Sequence, residues 1–325
     1  MFMRQMRLSV IWGVIAFALL GAASAQERYP SRPIKLVVAL GPGSGVDALA
    51  RMLSDYLRDD LKTELIVENK SGAAGVLGGE FVAKSKPDGY TLGVFHASVL
   101  TTAAAINPNL PYDPLKDFTQ LSLVGTNPLA LVVSATSKWN TLGELLDEAK
   151  KNPGKIGCGI IGMGSHSHFN LELLRIDSGA EITRIPYSAG TGAVIIGILG
   201  GHIACSSLTW PAVVGQVRGG KLRALAVTSR IKEFPQIPTF AESGFPRASL
   251  EVFYAIFGPA NLPREVVGRL VPALEKAIRD PKNEESLEKM GFSVSYEGPA
   301  KLSERMRNEL AVVREVAAKV GVKQD

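Results

Sequence analysis

Short apolar runs alternate with amphipathic segments along the first third of the chain. Residues 34–40, 65–67 and 91–95 form runs rich in aliphatic and β-branched side chains, as buried strands do. Apolar side chains recur every three or four positions over residues 48–57, which predicts a helix, and residues 75–84 form a second predicted helix. The resulting βαβαβ order predicts a parallel sheet with helices on both faces.

The same alternation continues through the second part of the chain. Five further strands are predicted at residues 129–133, 155–158, 182–185, 202–205 and 223–227. Thr141 and Glu144 have the spacing of a capping box, which predicts the start of another helix. Helical patterns also cover residues 263–278 and 302–320, after a proline-rich crossover at residues 234–246. No flexible linker separates the two halves, so we expect two α/β units joined by chain crossings.

The N-terminus has the pattern of a secretory signal peptide. Arg4 and Arg7 precede an uncharged apolar run at residues 8–20, and Ala-Ser-Ala follows at residues 23–25. The apolar run is too short to span a bilayer, which needs about 20 residues. We therefore expect residues 1–25 to be removed before Gln26 and the mature protein to be periplasmic.

Composition and charge exclude several classes of protein. Of 325 residues, 46% are hydrophobic and 21% are charged, which excludes a disordered or collagen-like chain and suits about two globular domains. Without the two arginines of the leader, the 36 basic residues become 34 against 31 acidic ones, a net charge of +3. The sequence contains no run of Lys or Arg that could follow a phosphate backbone, so we expect no binding to nucleic acid.

Two cysteines, Cys158 and Cys205, each end a short apolar run. We expect them to be buried thiols on neighbouring strands. A disulfide is the alternative, because the periplasm is an oxidising compartment.

A glycine-rich loop at residues 41–47 joins the first predicted strand to the first predicted helix. Backbone N–H groups at such a helix start hold an anion without needing a cationic side chain. A dinucleotide fingerprint would need a third glycine where Val46 stands, so we expect no such cofactor. Asp47 also fits a purely structural role as the helix N-cap.

A second loop, residues 162–168, allows two hypotheses. In the first, Ser165 is the nucleophile of a secreted serine hydrolase, with His166 as its partner. A nucleophile elbow would, however, place glycines where Met163 and Ser167 stand. In the second hypothesis the loop is a capped helix start. Its two histidines are two positions apart and do not share a helix face, so we expect no metal site.

A third loop, residues 186–193, offers two hydroxyl groups and the ring of Tyr187 at the start of another predicted helix. None of the three loops contains Lys or Arg. Backbone amides and hydroxyl groups suit a carboxylate, whereas a phosphate site more often includes Arg or Lys.

Longer strings of residues resemble a known family. They lie at residues 29–34, 67–70, 87–92, 110–114, 219–228 and 238–244. In sequence and order these strings resemble the Bug family, the extracytoplasmic solute receptors of tripartite tricarboxylate transporters. The match covers nearly all of residues 28–320.

The resemblance implies a fold and a function. The fold is a two-lobed α/β periplasmic binding protein of type II, with a mainly parallel, helix-flanked sheet in each lobe and a ligand cleft between them. Residues 26–127 and 252–325 would form lobe 1, and residues 128–251 lobe 2. The function is capture of a small carboxylate by hinge closure: a di- or tricarboxylate, an acidic amino acid or an aromatic acid. The partners would be membrane transporter subunits or a sensor protein. We expect a monomer without enzymatic activity, cofactor or metal.

The resemblance also implies which residues bind the ligand. The candidates are Gly43, Ser44, Asp47, His96, Ser98, Asn127, Ser165, His166, Tyr187, Ser188, Ala189 and Thr191.

Overall fold

The computed structural model describes residues 29–187 and 190–322. The predicted signal peptide and two candidate ligand residues, Ser188 and Ala189, lie outside the described residues. In the described ranges no helix is both long and apolar enough to cross a membrane.

Eleven strands in this part of the chain form two sheets. They are β1 (Ile34–Val38), β2 (Leu65–Asn69), β3 (Thr91–His96), β4 (Phe118–Asn127), β5 (Leu129–Ser134), β6 (Ile156–Ile160), β7 (Ile182–Pro186), β8 (Cys205–Thr209), β9 (Leu222–Val227), β10 (Val252–Pro259) and β11 (Ser293–Glu297). The first sheet has the order β11-β4-β10-β3-β1-β2, and the second has the order β7-β6-β8-β5-β9.

Ten helices flank these sheets in the described residues. They are α1 (Gly45–Leu61), α2 (Val76–Ala83), α3 (the π-helical turn Ser98–Thr102 with Ala103–Ile106), α4 (Leu142–Lys151), α5 (His166–Ser178), α6 (Thr191–Leu199), α7 (Trp210–Arg218), α8 (Arg264–Ile278), α9 (Pro281–Lys289) and α10 (Pro299–Val320). The predicted α/β architecture is confirmed.

Both sheets are mixed, but four strands in each run in the same direction, as expected for mainly parallel sheets. In the first sheet β1 is parallel to β2 and β3, but β10 is antiparallel to β3 and β4. In the second sheet β6 is parallel to β7 and β8, but β5 is antiparallel to β8 and β9. The reason is the chain crossing, because β4 passes straight into β5 through Pro128 and β10 returns between β3 and β4.

Helix α1 shows how the sequence pattern becomes structure. Its apolar positions Leu49 and Leu53 are fully buried against β1, and burial of each leucine side chain contributes about 1.5–3 kcal/mol. Ser44 caps the first turn, because its hydroxyl accepts a hydrogen bond from the Asp47 N–H at 3.2 Å. Lys62 ends the helix in the left-handed region, with a φ of 57°.

Helix α10 belongs to two hydrophobic cores. Leu302 and Met306, near its start, pack with side chains of the first sheet. Leu310 and Val313, further along, pack with side chains of the second sheet. One continuous helix therefore ties the two halves of the molecule together.

Some elements differ from the sequence prediction. The strand predicted at residues 202–205 is wrong, because β8 begins at Cys205 and continues through Ser206, Ser207, Leu208 and Thr209. Ser206 is tolerated inside the sheet because its hydroxyl donates to the Gly159 carbonyl at 2.7 Å. The pattern analysis also missed β4, α3, β10, α9 and β11.

The two cysteines are joined in a disulfide, so the expectation of two free thiols is wrong. Cys158 of β6 and Cys205 of β8 are register partners on adjacent strands, and their Cα atoms are 4.6 Å apart. This separation lies within the range that a disulfide can bridge.

We predict that replacing both cysteines with alanine lowers the free energy of unfolding by about 2–4 kcal/mol, since the bond closes a long span of chain. Urea unfolding of the wild type and of the double variant measures this difference. Wild type reduced with dithiothreitol is the control and should match the variant. Two reactive thiols in denatured, unreduced wild type would contradict the disulfide.

Candidate functional site

A cavity of about 240 Å³ lies where the strand ends of both sheets meet. Its walls include residues at or just beyond the carboxyl ends of β1, β3, β6 and β8. The lining residues are Leu40, Gly45, Val46, His96, Ser98, Leu129, Ile161, Ser165, His166, Ser167, Ser207, Leu208, Thr209, Val252 and Tyr254. No Asp, Glu, Lys or Arg side chain of the described residues lines it. Crevices at the carboxyl ends of strands are the usual ligand sites of α/β folds.

Four larger hollows of about 490, 730, 560 and 450 Å³ also occur among the described residues, and the first two of them, both lined by arginine, are less suited to a ligand. In the first, Arg247 and Arg305 are already held in ion pairs with acidic side chains. In the second, Arg223 donates to backbone carbonyls.

The first wall of the cavity is the start of α1. Three predicted ligand residues, Gly43, Ser44 and Asp47, build the cap of this helix and do not line the cavity. The Gly43 N–H donates to the Asp47 carboxylate at 3.0 Å, and the turn needs glycine because its φ is +80°. The N–H groups of Gly45 and Val46, which do line the cavity, have no acceptor among the described residues.

Asp47 is held by a network of its own. Only 4% of it is exposed, and its carboxylate accepts hydrogen bonds from Arg51 at 3.0 and 3.1 Å and from Asn69 at 3.0 Å. The hydrogen bonds from Arg51, with those from Gly43 and Asn69, lower the pKa of Asp47 to about 2. Asp47 therefore fixes the shape of the loop and has no lone pair directed to the cavity.

The second wall is the start of α5, which belongs to the other sheet. Ser165 lines the cavity, but its hydroxyl caps the helix by accepting from the His168 N–H at 3.2 Å and donates to the Gly162 carbonyl at 2.8 Å. The N–H groups of His166 and Ser167 have no acceptor in the described part of the chain. Two helix starts, each with a partial positive charge, thus face one cavity.

His166 connects three separate segments. Its ring is 2% exposed, with Nδ1 3.3 Å from the Ser98 hydroxyl and Nε2 3.1 Å from Oε1 of Glu309 in α10. Oε1 of Glu309 also accepts from the Thr101 hydroxyl at 2.5 Å. The ring of His166 makes no hydrogen bond to the Ser165 hydroxyl, so the Ser165–His166 pair of the hydrolase hypothesis is not formed.

His96 lies at the end of β3 and supplies a hydrogen-bond donor. Its Nδ1 accepts from the Ser98 N–H at 3.2 Å. Burial, with a smaller contribution from His166, lowers the pKa of His96 to about 4, so the ring is neutral near pH 7. Since Nδ1 is the acceptor, Nε2 carries the hydrogen.

Ser207 of β8 was not among the predicted residues. Ser207 lines the cavity and is fully buried. Its hydroxyl has no hydrogen-bond partner among the described residues. A buried hydroxyl without a partner is costly, which points to a ligand atom that satisfies it. The sequence signal for it is weak: a pair of serines, residues 206 and 207, directly after the strand predicted at residues 202–205.

The remaining predicted residues within the described ranges, Asn127, Tyr187 and Thr191, do not line the cavity. Asn127 contacts a lining residue, since it hydrogen-bonds the Tyr254 hydroxyl at 3.0 Å. Tyr187 packs in the core beside α6, and Thr191 is the first residue of that helix. Among residues 29–187 and 190–322, no group of three His, Cys, Asp or Glu side chains is placed to hold a metal.

We predict that Asp47→Asn lowers the free energy of unfolding at pH 7 by about 1–3 kcal/mol, because it removes the charge that holds Arg51 and Gly43. The folded pKa is lower than the usual value of about 3.9, so this stabilisation is present above that value and disappears as the pH falls towards 2. Thermal unfolding from pH 7 to pH 2.5 measures it.

Asp55→Asn, an exposed position on the same helix, is the matched control and should change stability by less than about 0.5 kcal/mol. A deficit of Asp47→Asn that stays constant down to pH 2.5 would contradict the ionised network.

Known proteins are similar to this chain over most of its length. The family described as tripartite tricarboxylate transporter family receptor matches residues 49–322. The protein BugT of Bordetella pertussis is 33% identical over 326 residues, covering 98% of this chain and 100% of BugT.

Solved structures show the same fold. A TctC solute binding protein from Polaromonas, solved without ligand, is 29% identical, with a TM-score of 0.81 and coverage of 90% of this chain and 99% of that one. A Rhodopseudomonas palustris protein with adipate is 26% identical, with a TM-score of 0.75 and coverage of 91% and 99%. MatC from the same organism, with bound malate, is 27% identical, with a TM-score of 0.71 and coverage of 89% and 99%. The chain therefore belongs to the tripartite tricarboxylate transporter receptor family, and its two lobes are those of a solute-binding protein.

Proposed function

We propose that this chain is a periplasmic receptor that captures a small carboxylate in the cavity between its two sheets and delivers it for uptake. The observation that carries the proposal is the convergence of two helix starts and of Ser207, whose hydroxyl has no partner among the described residues, on a cavity that no charged side chain of those residues lines. The predicted signal peptide, residues 1–25, would deliver the protein to the periplasm.

The electrostatics of the cavity favour a carboxylate. Free N–H groups at the starts of α1 and α5 lie on opposite walls, and each helix dipole stabilises a nearby negative charge. Without Lys or Arg in the lining, the site lacks the side chains that a phosphate site more often includes. Two helix starts suit two carboxylate groups, and the ligands bound to the two Rhodopseudomonas palustris proteins, adipate and malate, are dicarboxylates.

Binding would be coupled to closure of the two lobes. We place lobe 1 at residues 26–127 and 252–325 and lobe 2 at residues 128–251. The hydrogen bond between Ser98 and His166 crosses from one lobe to the other beside the cavity. A carboxylate held by both helix starts would favour the closed arrangement, since only that arrangement brings both sets of donors to one ligand. The closed receptor would then be recognised by membrane transporter subunits, with a sensor protein as the alternative partner.

We predict that malate or adipate raises the thermal stability of the protein, and that Ser207→Ala weakens binding about tenfold by removing one hydrogen bond. A ligand at 100 times its Kd adds about 2.7 kcal/mol to the free energy of unfolding. Thermal shift and calorimetry measure both effects.

Ser206→Ala is the matched control, because the neighbouring hydroxyl is equally buried but donates to the Gly159 carbonyl. It should lower stability and leave affinity unchanged. If no carboxylate in a broad set produces a shift, or if both variants lose affinity equally, this assignment of the cavity is wrong.

We also predict that a serine-reactive phosphonate does not label Ser165, because its hydroxyl is committed to the helix cap and to Gly162. Intact-mass spectrometry after incubation with the reagent gives the result, with an authentic serine hydrolase as the positive control. A covalent adduct on Ser165 or Ser98 would favour the hydrolase hypothesis instead.

A further inference from the structure

Two neighbouring strands each place in the cavity lining a side chain with an unused hydrogen-bonding atom. His96 of β3 and Tyr254 of β10 are register partners in an antiparallel pair. Residues directly opposite in such a pair have their side chains on the same face of the sheet, and both of these side chains line the cavity.

The hydrogen of the Tyr254 hydroxyl is committed to Asn127. The amide nitrogen of Asn127 donates to the Gly291 carbonyl at 2.9 Å and to the Thr126 carbonyl at 3.2 Å. Its amide oxygen therefore faces Tyr254 and accepts the phenolic hydrogen at 3.0 Å. Burial raises the pKa of Tyr254 to about 12, so the phenol keeps its hydrogen near neutral pH. The Tyr254 oxygen is left as an acceptor.

His96 has the opposite polarity. Because its Nδ1 accepts from the Ser98 N–H, the hydrogen of the neutral ring is on Nε2, which has no partner among the described residues. The pair therefore offers one donor, from His96, and one acceptor, from Tyr254.

We infer that the preferred ligand is a 2-hydroxycarboxylate, whose carboxylate accepts from His96 and whose adjacent hydroxyl donates to Tyr254. This inference rests on the proposed carboxylate-binding function and narrows its substrate class. Asn127 is then a positioning residue that acts through Tyr254. A plain carboxylic acid of the same length would leave the acceptor of Tyr254 without a donor.

The same lining disfavours a 2-amino acid. An ammonium group would also donate to Tyr254, but it carries a full positive charge. No Asp or Glu side chain lines the described cavity, and the nearby buried carboxylate of Glu309 already accepts from Thr101 and His166. A hydroxyl donates without needing a counter-charge.

Calorimetry at pH 7.5 on the wild-type protein tests the inference with matched ligand pairs. These are malate and succinate, 2-hydroxyadipate and adipate, and mandelate and phenylacetate, with aspartate as the amino analogue of malate. In every pair that binds, we expect the hydroxy acid to bind about tenfold tighter. If malate binds, aspartate should bind at least tenfold more weakly than malate.

The variant Tyr254→Phe separates the hydroxyl contact from packing. Phenylalanine retains the edge-to-face contact with Phe292, whose ring centroid is 4.8 Å away. We expect the variant to bind the plain acid as the wild type does, and to prefer the hydroxy acid by less than twofold. Tyr56→Phe is the matched control, since Tyr56 bonds Asp280 and does not line the cavity, and it should keep the tenfold preference.

The outcomes distinguish the two proposals. Equal affinities within a binding pair, tighter binding of aspartate than malate, or an unchanged preference in Tyr254→Phe would overturn the hydroxyl inference and leave carboxylate binding intact. If none of the seven compounds binds the wild type, carboxylate binding itself fails and the inference fails with it. If Tyr254→Phe does not fold, the wild-type pairs decide alone.

Discussion

The structure depends on backbone N–H groups that its helices cannot satisfy themselves. The first turns of α1 and α5 leave such groups free, and the crossing from β4 to β5 turns the strand ends of both sheets towards one space. Since each of these helices follows a strand, its start lies in that space as well. Among the described residues no charged side chain lines the cavity, and the carboxylate of Asp47 in the first turn of α1 is paired with Arg51, so free N–H groups are the main source of positive charge at the walls.

The polar side chains near the cavity have two different tasks. Asp47 and Ser165 satisfy some of the free N–H groups and fix the loops, so their own hydrogen-bonding capacity is used within the protein. Gly45 and Val46, one or two positions beyond the cap, keep their donors free. The sequence motifs identified the loops correctly, but they pointed to the capping residues within them. A capping side chain can be recognised in the sequence, whereas a free backbone N–H group cannot, because every residue except proline has one.

The sequence predicts those features whose stabilising contacts lie within one segment of the chain, and it misses those that depend on distant residues. Helix α1 was predictable because its cap and its apolar spacing lie within one segment. Strand β8 was misplaced because Ser206 is tolerated inside it only through a hydrogen bond to Gly159, which is far away in sequence. The same applies to Glu309, which reaches His166 across 143 positions, and to the disulfide, which depends on the register of β6 and β8. Such pairings are set by tertiary contacts rather than by any local pattern.

Helix α10 limits how the two lobes can move. One continuous helix is packed in both cores. A separation of the two lobes would therefore expose either the side chains packed around Met306 or those packed around Leu310. A rotation about the axis of α10, with sliding of the packed side chains, costs less buried area than separation. A lobe movement of the kind proposed above would therefore be a rotation about the axis of α10 rather than a separation of the lobes.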